Sequence, residues 1–313
     1  AAANSALLMA CRYTGRNEIL VPETMSSDRF VQMQNFVRPV ASIKTIKMDS
    51  HTGLMDTLDL KSKISSETAS VYFENPTYLG AIETGAHDIV DIAKAKGALA
   101  TVGVDPITLG IISPPSEYGA DIVVGDIQPL GIHMYGGGGL GGFIASNDDP
   151  ELIAEYNALL VSIAPGLRPG EFGFDYSTFD RTSYEKRGIS PDYIGTTQWL
   201  WAIIAGVYLS LMGPVGMNEV GKTIMERSSY ASRMLSSIPG IKSPAFPSVF
   251  FKEFVVDFSS TGKTVSEINT ELLDRGIFGG FDLSDQFKSL GQSSLYCVTE
   301  VHTKNDIDSL VQF

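Results

Sequence analysis

The sequence predicts an α/β protein, with a mostly parallel, helix-covered sheet followed by a smaller α+β unit. Short apolar runs at residues 18–22, 41–48, 69–74, 98–105 and 121–124 alternate with helical stretches at 26–36 and 88–96. Strands separated by helices build parallel units buried on both faces. A glycine-rich loop carrying His133, Met134 and six glycines among residues 136 to 142 then leads from the run ending at 124 to a second run at 142–146. Finally, Asn75 and Asp105 each stand at the carboxyl end of a run, the edge where open α/β sheets take ligands.

Taken in order, residues 1–12 read as the inside of a helix, with Ala6, Leu7, Leu8, Met9 and Ala10 apolar and no cap residue ahead of them. The chain is therefore expected to start in mid-element, with an earlier segment missing. Asn75-Pro76 closes its strand, because proline cannot continue a ladder. Asp148-Asp149-Pro150-Glu151 is a helix start, an acidic cap with proline in the first turn. Residues 165–197, rich in Gly, Pro, Asp, Arg and Tyr, read as irregular, and Arg181, Tyr184, Lys186 and Arg187 make them a dense cationic patch near the predicted edge.

Two long helices are expected at 196–212 and 217–238. The apolar run 199–212 is broken by Gly206 and Ser210 and too short to span a bilayer, so it reads as a buried core helix. Beyond it come a strand at 250–258, a helix boxed by Thr264 and Glu267, a strand at 294–298 and a last helix boxed by Thr303 and Asp306. The division is then a large domain over 1–215 and a small α+β domain over 216–313.

At 313 residues, with 43% hydrophobic and 19% charged side chains, the chain can bury a sizeable core. A net charge of -13 argues against nucleic-acid or anionic-membrane binding, which need clustered Lys and Arg. Cys11 and Cys297 lie far apart and the four histidines are scattered, so no metal site is spaced out, and a reducing cytoplasm is the expected location. Glycines are costly in unfolded-chain entropy, so the backbone near 136–142 is expected to take positive φ or to be approached closely by a phosphate, a ring or another subunit.

Residues along nearly the whole chain carry a family likeness. They are Leu7-Leu-Met-Ala10 with Thr14-Gly-Arg16, Glu74-Asn-Pro-Thr-Tyr-Leu-Gly80, Val104-Asp-Pro106 with Leu109-Gly110, the segment 115–125, Gln128-Pro-Leu-Gly131, the segment 207–214 and the segment 298–308. With these the chain resembles the pyridoxal-phosphate enzymes of aspartate-aminotransferase fold, and among them the glycine dehydrogenase (decarboxylating), or P-protein, family of the glycine cleavage system, in its subunit 1 form. The resemblance implies a fold-type I large domain, a mostly parallel seven-stranded sheet with one antiparallel strand, plus the small C-terminal domain. Between 180 and 198 the chain departs from the family pattern, with Arg181, Glu185, Lys186, Ile194, Thr197 and Gln198 as the matching positions.

A pyridoxal-phosphate enzyme needs a lysine for the imine, an acid to keep the ring nitrogen protonated and donors for the phosphate. The resemblance makes Asp105 the acid and assigns Asn75, Asp105 and His133 to a vestigial cofactor pocket. The catalytic subunit's His-Lys pair corresponds here to His133-Met134, and a thioether forms no imine. The other lysines, Lys94 and Lys96 among them, lie on predicted helices or remote loops, and none is expected on the edge with Asp105. The implied function is that of the non-lysine-bearing subunit, inactive alone, with pyridoxal phosphate on its partner, subunit 2. Lipoylated H-protein would accept the aminomethyl group, and the assembly would be a dimer or heterotetramer. The alternative is a catalytically inactive homologue serving as scaffold or regulatory partner.

Overall fold

The apolar runs become strands, buried on both faces at 18–22 and 68–75 and half exposed at 42–46 on the sheet edge. In a computed structural model, which describes residues 1–133, 140–156, 161–176 and 198–313, one sheet is formed by β1 (Glu18–Pro22), β2 (Ser42–Ile46), β3 (Thr68–Asn75), β4 (Leu99–Val104), β5 (Ile122–Asp126) and β6 (Gly142–Ser146). The strand order is β2-β1-β3-β4-β5-β6, six strands among the described residues against the seven expected. Every neighbouring pair is parallel except the last, where Ile122 of β5 faces Ser146 of β6 and Asp126 faces Gly142.

Strand residues point alternately to opposite faces, and the two faces of this sheet hold two cores. Leu20, Val71, Phe73 and Val102 pack with Ile89 and Val90 of α4 (Ala86–Ala95) on one side. Ile19, Val21, Tyr72, Ile122 and Val124 pack with Leu7 and Leu8 of α1 (Ala2–Thr14) on the other. Each such fully buried leucine contributes about 1.5–3 kcal/mol over its exposed state. α1 ends where Gly15 takes a left-handed φ of 67°, a conformation open to glycine without penalty. The remaining large-domain helices are α2 (Ser27–Val37), α3 (Thr57–Lys63) and the single turn α5 (Pro150–Ile153), capped as expected by Asp149. α3 escaped the sequence reading; Asp56 starts it by accepting from the Leu58 and Asp59 amides.

Two expectations need correcting. Residues 165–197 are not wholly irregular: β7 (Val161–Pro165) and β8 (Phe172–Tyr176) form an antiparallel hairpin, while 177–197, with Arg181, Tyr184, Lys186 and Arg187, lie outside the described residues. The two helices expected at 196–212 and 217–238 are present, labelled together α6 (Trp199–Leu235) and separated where Gly213, non-helical at φ 58° and ψ -176°, precedes Pro214; what needs correcting is the cover of the first. Its first half is not a buried core helix, since Leu200, Ile203 and Leu211 are 61%, 60% and 81% exposed. The helix is also long and apolar enough, by length and composition alone, to cross a bilayer, which the apolar run 199–212 by itself is not.

The expected division after residue 215 falls inside α6, just past its kink. Downstream, β9 (Glu253–Asp257), β10 (Phe281–Asp282) and β11 (Ser293–Cys297) form an antiparallel sheet in the order β10-β11-β9. Phe254, Val256, Phe258 and Tyr296 pack there with Ala231 and Leu235 of α6 and Ile307 of α8 (Lys304–Gln312). Both capping boxes are present: Thr264 with Glu267 opens α7 (Val265–Leu273), and Thr303 with Asp306 opens α8.

Candidate functional site

The topology brings Asn75 and Asp105 to one edge. Asn75 ends β3 opposite Val104, and Asp105 follows Val104 directly. His133 follows β5, the next strand over, through the turn at 127–132, and is solvent-exposed. Ile127, Leu130 and Ile132 of that turn pack against Ala205 and Tyr208 of α6, which fixes where the loop departs. Met134 and the first four glycines lie outside the described residues. Of the remaining two, Gly141 and Gly142 are approached by the chain itself: a Cβ would come within 2.7 Å of Ile127 in the first case and 3.0 Å of Ala2 in the second. Their small size serves packing of the loop and of α1.

Asn75 turns inward. Its Oδ1 accepts from the Glu83 amide at 3.0 Å, its Nδ2 donates to the Glu83 carbonyl at 3.5 Å, and the Tyr118 side chain also bonds to it. Glu83 is buried, and burial lifts its carboxyl above the ordinary range although the Met55 and Gly85 amides donate to it at 3.0 and 3.1 Å. Beside it, the Tyr72 hydroxyl donates to Glu74 at 2.9 Å and Arg29 of α2 pairs with the same carboxylate. Burial holds Tyr72 well above its usual pKa. The cleft between Thr24, Glu74, Thr77, Tyr78 and Glu83 has room for about one water molecule, not for an aromatic ring.

Asp105 is also engaged. Its Oδ1 accepts from the Ile107 amide at 3.0 Å, and its Oδ2 lies 2.5 Å from the Nζ of Lys252. The expectation that no lysine reaches this edge is corrected here. Lys252 comes from the segment entering β9, far along the chain, which no local pattern connects to Asp105. Glu253 is 3.8 Å from the same ammonium, and the Cys297 thiol donates to Glu253 at 3.7 Å. Burial pushes both Glu253 and the thiol up, the latter to about 12. Burial alone would lower Lys252, but the Glu253 and Asp105 carboxylates more than offset it and hold the amine charged.

These residues do not fit pyridoxal phosphate. The acid that would face a ring nitrogen already holds an ammonium, and that ammonium is not a free amine for an imine. The polar side chain at the end of the neighbouring strand is spent within the protein. What the edge can do chemically is hold the small unit against the sheet.

Compared with known proteins, residues 1–313 match the family model of the glycine cleavage system P-protein. The chain is 36% identical over 309 residues to the probable glycine dehydrogenase (decarboxylating) subunit 1 of Staphylothermus marinus, covering 98% of this chain and 66% of that protein. Against the same-named protein of Saccharolobus solfataricus it is 37% identical over 308 residues, covering 98% and 65%. The chain thus spans slightly under two thirds of the length of these relatives. Among solved structures, an inhibitor-bound glycine decarboxylase (P-protein) of the glycine cleavage system superposes with a TM-score of 0.87 at 28% identity, covering 99% of this chain and 68% of that one. A Burkholderia pseudomallei sphingosine-1-phosphate lyase, at 15% identity and a TM-score of 0.69, shares the fold. By its sequence over residues 1–313 and by its superposition, the chain belongs to the glycine cleavage system P-protein family, with the α/β fold of the fold-type I pyridoxal-phosphate enzymes.

Proposed function

We propose that this chain is the non-lysine-bearing subunit of a glycine dehydrogenase (decarboxylating), acting in the cytoplasm and inactive alone. The carrying observation is the match over its whole length to proteins named as subunit 1 of that enzyme. In this reading a lysine-bearing subunit 2 binds pyridoxal phosphate and decarboxylates glycine, and the aminomethyl group passes to the lipoyl arm of H-protein. This chain supplies apolar surface to the assembly and wall residues to the partner's site. The occupied Asp105 supports placing the cofactor on the partner. The exposed face of α6, with Trp199, Leu200, Ile203, Val207 and Leu211, supports an obligate interface, since such interfaces are more apolar than ordinary surface.

Co-expression of the complete protein with a lysine-bearing subunit encoded beside it tests the reading. The pair is expected to sediment as a dimer or heterotetramer and to exchange the glycine carboxyl with bicarbonate when H-protein is added, and neither subunit is expected to do so alone. A stable monomer indifferent to every candidate subunit, or a chain that partitions into lipid vesicles through α6, would overturn it.

A further inference from the structure

The segment 249–253 lies across the carboxyl edge of the large sheet and is fastened there by three kinds of contact. The Ile82 amide donates to the Val249 carbonyl at 2.7 Å and the Phe251 amide to the Gly80 carbonyl at 3.2 Å, so a piece of the small unit is laced to the loop after β3. Gly80 has a φ of 91°, and a Cβ there would stand 1.9 Å from the Glu253 carbonyl oxygen, so the two backbones touch with no room for a side chain. Between these points Lys252 reaches Asp105. The carboxyl edge is the crevice where sheets of this kind take ligands, and here the chain fills it with itself.

We propose that Lys252 is the resident counter-ion of Asp105, a positioning residue that clamps the small unit over the sheet edge and keeps a pyridine ring off this chain's own acid. Asp105 Oδ1 accepts from Ile107, but its buried Oδ2 has no hydrogen-bond partner among the described residues and is met by the Lys252 ammonium as an ion pair, so stripping the cation leaves that carboxylate charge uncompensated. Two carboxylates share the ammonium. At 2.5 Å Asp105 is the nearer carboxylate and Glu253, at 3.8 Å, is the farther one, itself held by the Cys297 thiol. Charge and reach are both needed, so arginine is the conservative replacement and methionine the one that keeps the stem and deletes the charge. The inference concerns contacts within this chain and stands or falls separately from the proposed enzyme reaction.

A double-mutant cycle on the complete protein tests it, with denaturant unfolding of Asp105→Asn, Lys252→Met and the double variant. Lys252→Met is expected to lower the folded-to-unfolded ratio by about a hundredfold or more, Asp105→Asn by less because Glu253 still faces the ammonium, and the double variant by less than the product of the two. Lys252→Arg should recover most of the ratio. Where a single variant does not fold, amine labelling of the native protein read by mass spectrometry supplies the second measurement. Lys252 should be among the slowest lysines to acetylate in the wild type, and in Asp105→Asn its rate should rise about tenfold. Incubation of the wild type with pyridoxal phosphate and borohydride should leave no pyridoxyl group on Lys252. A stoichiometric adduct there, strict multiplicativity in the cycle, or a Lys252 that labels as fast as surface lysines would each overturn the proposal.

Discussion

α1 and the first half of α6 are both apolar helices, yet they meet opposite fates. Leu7, Leu8 and Met9 of α1 are at most 1% exposed, held between β3, β5 and β6 and the helices beside them. In α6, Ile204, Ala205, Tyr208 and Met212 find cover against Ile107, Ile127 and Leu130, while Leu200, Ile203 and Leu211 on the other side stay exposed among the described residues. Hydropathy states that a surface needs cover and is silent on which molecule provides it. The difference lies in packing, since both segments are helical. An exposed apolar face of this extent is the kind of surface that a partner covers, in keeping with the two-subunit reading proposed above.

Cutting into each helix in turn sharpens the contrast. Leu8→Ala is expected to cost the isolated chain about 2–5 kcal/mol, because it removes a fully packed side chain and leaves a cavity behind. Chemical unfolding of the variant checks it, and a loss below about 1 kcal/mol would mean that α1 is covered less tightly than its burial implies. Ile203→Asp should do the reverse. On the isolated chain it should change stability by no more than about 0.5 kcal/mol, since the side chain is 60% exposed. In the two-subunit assembly it should weaken association by about 2 kcal/mol or more, the scale of a buried anchor at an interface. Unaltered sedimentation of the assembly would move the partner off this face.

The elements that local pattern controls were legible in the sequence. β1 and β3 to β5 are continuous apolar runs, Thr264 with Glu267 and Thr303 with Asp306 state their helix starts outright, and Val104-Asp-Pro puts Asp105 at a strand end with no tertiary information. What failed was long-range. Lys252 stands 147 residues from Asp105 in a strand approach, so a pairing made over that separation left no periodic trace. Asn75 was placed correctly at its edge, but that its amide would turn to the Glu83 backbone depends on the loop 77–83, whose course no pattern fixes. The first half of α6 reads as buried from its hydropathy alone, which does not say whether cover is found, and Leu200, Ile203 and Leu211 are exposed.

The smallest effect separates the two regions by pH. Beside α1, Glu18 at the start of β1 is buried, which alone would raise its pKa; Lys44 and the hydroxyls of Thr68, at 2.7 Å, and Ser65 outweigh that and lower it. A carboxyl lowered on folding contributes stability that is fully present above its unfolded value, about 4.3, and that disappears as pH falls through the folded value. Glu18→Gln should therefore be less stable than the wild type at pH 7, and the gap should close progressively below about pH 4.5, as both proteins come to carry a neutral side chain at this position. The exposed half of α6, residues 199–216, contains no Asp, Glu, Lys, Arg or His, so partner affinity through that face should hold constant over the range in which the Glu18 contribution fades. Urea titrations at several pH values, paired with sedimentation of the assembly in the same buffers, read both. A stability gap that is flat or that widens in acid would show that Glu18 is not held ionised by Lys44 and Thr68. An affinity that tracks the same titration would show that the covered and open regions are coupled.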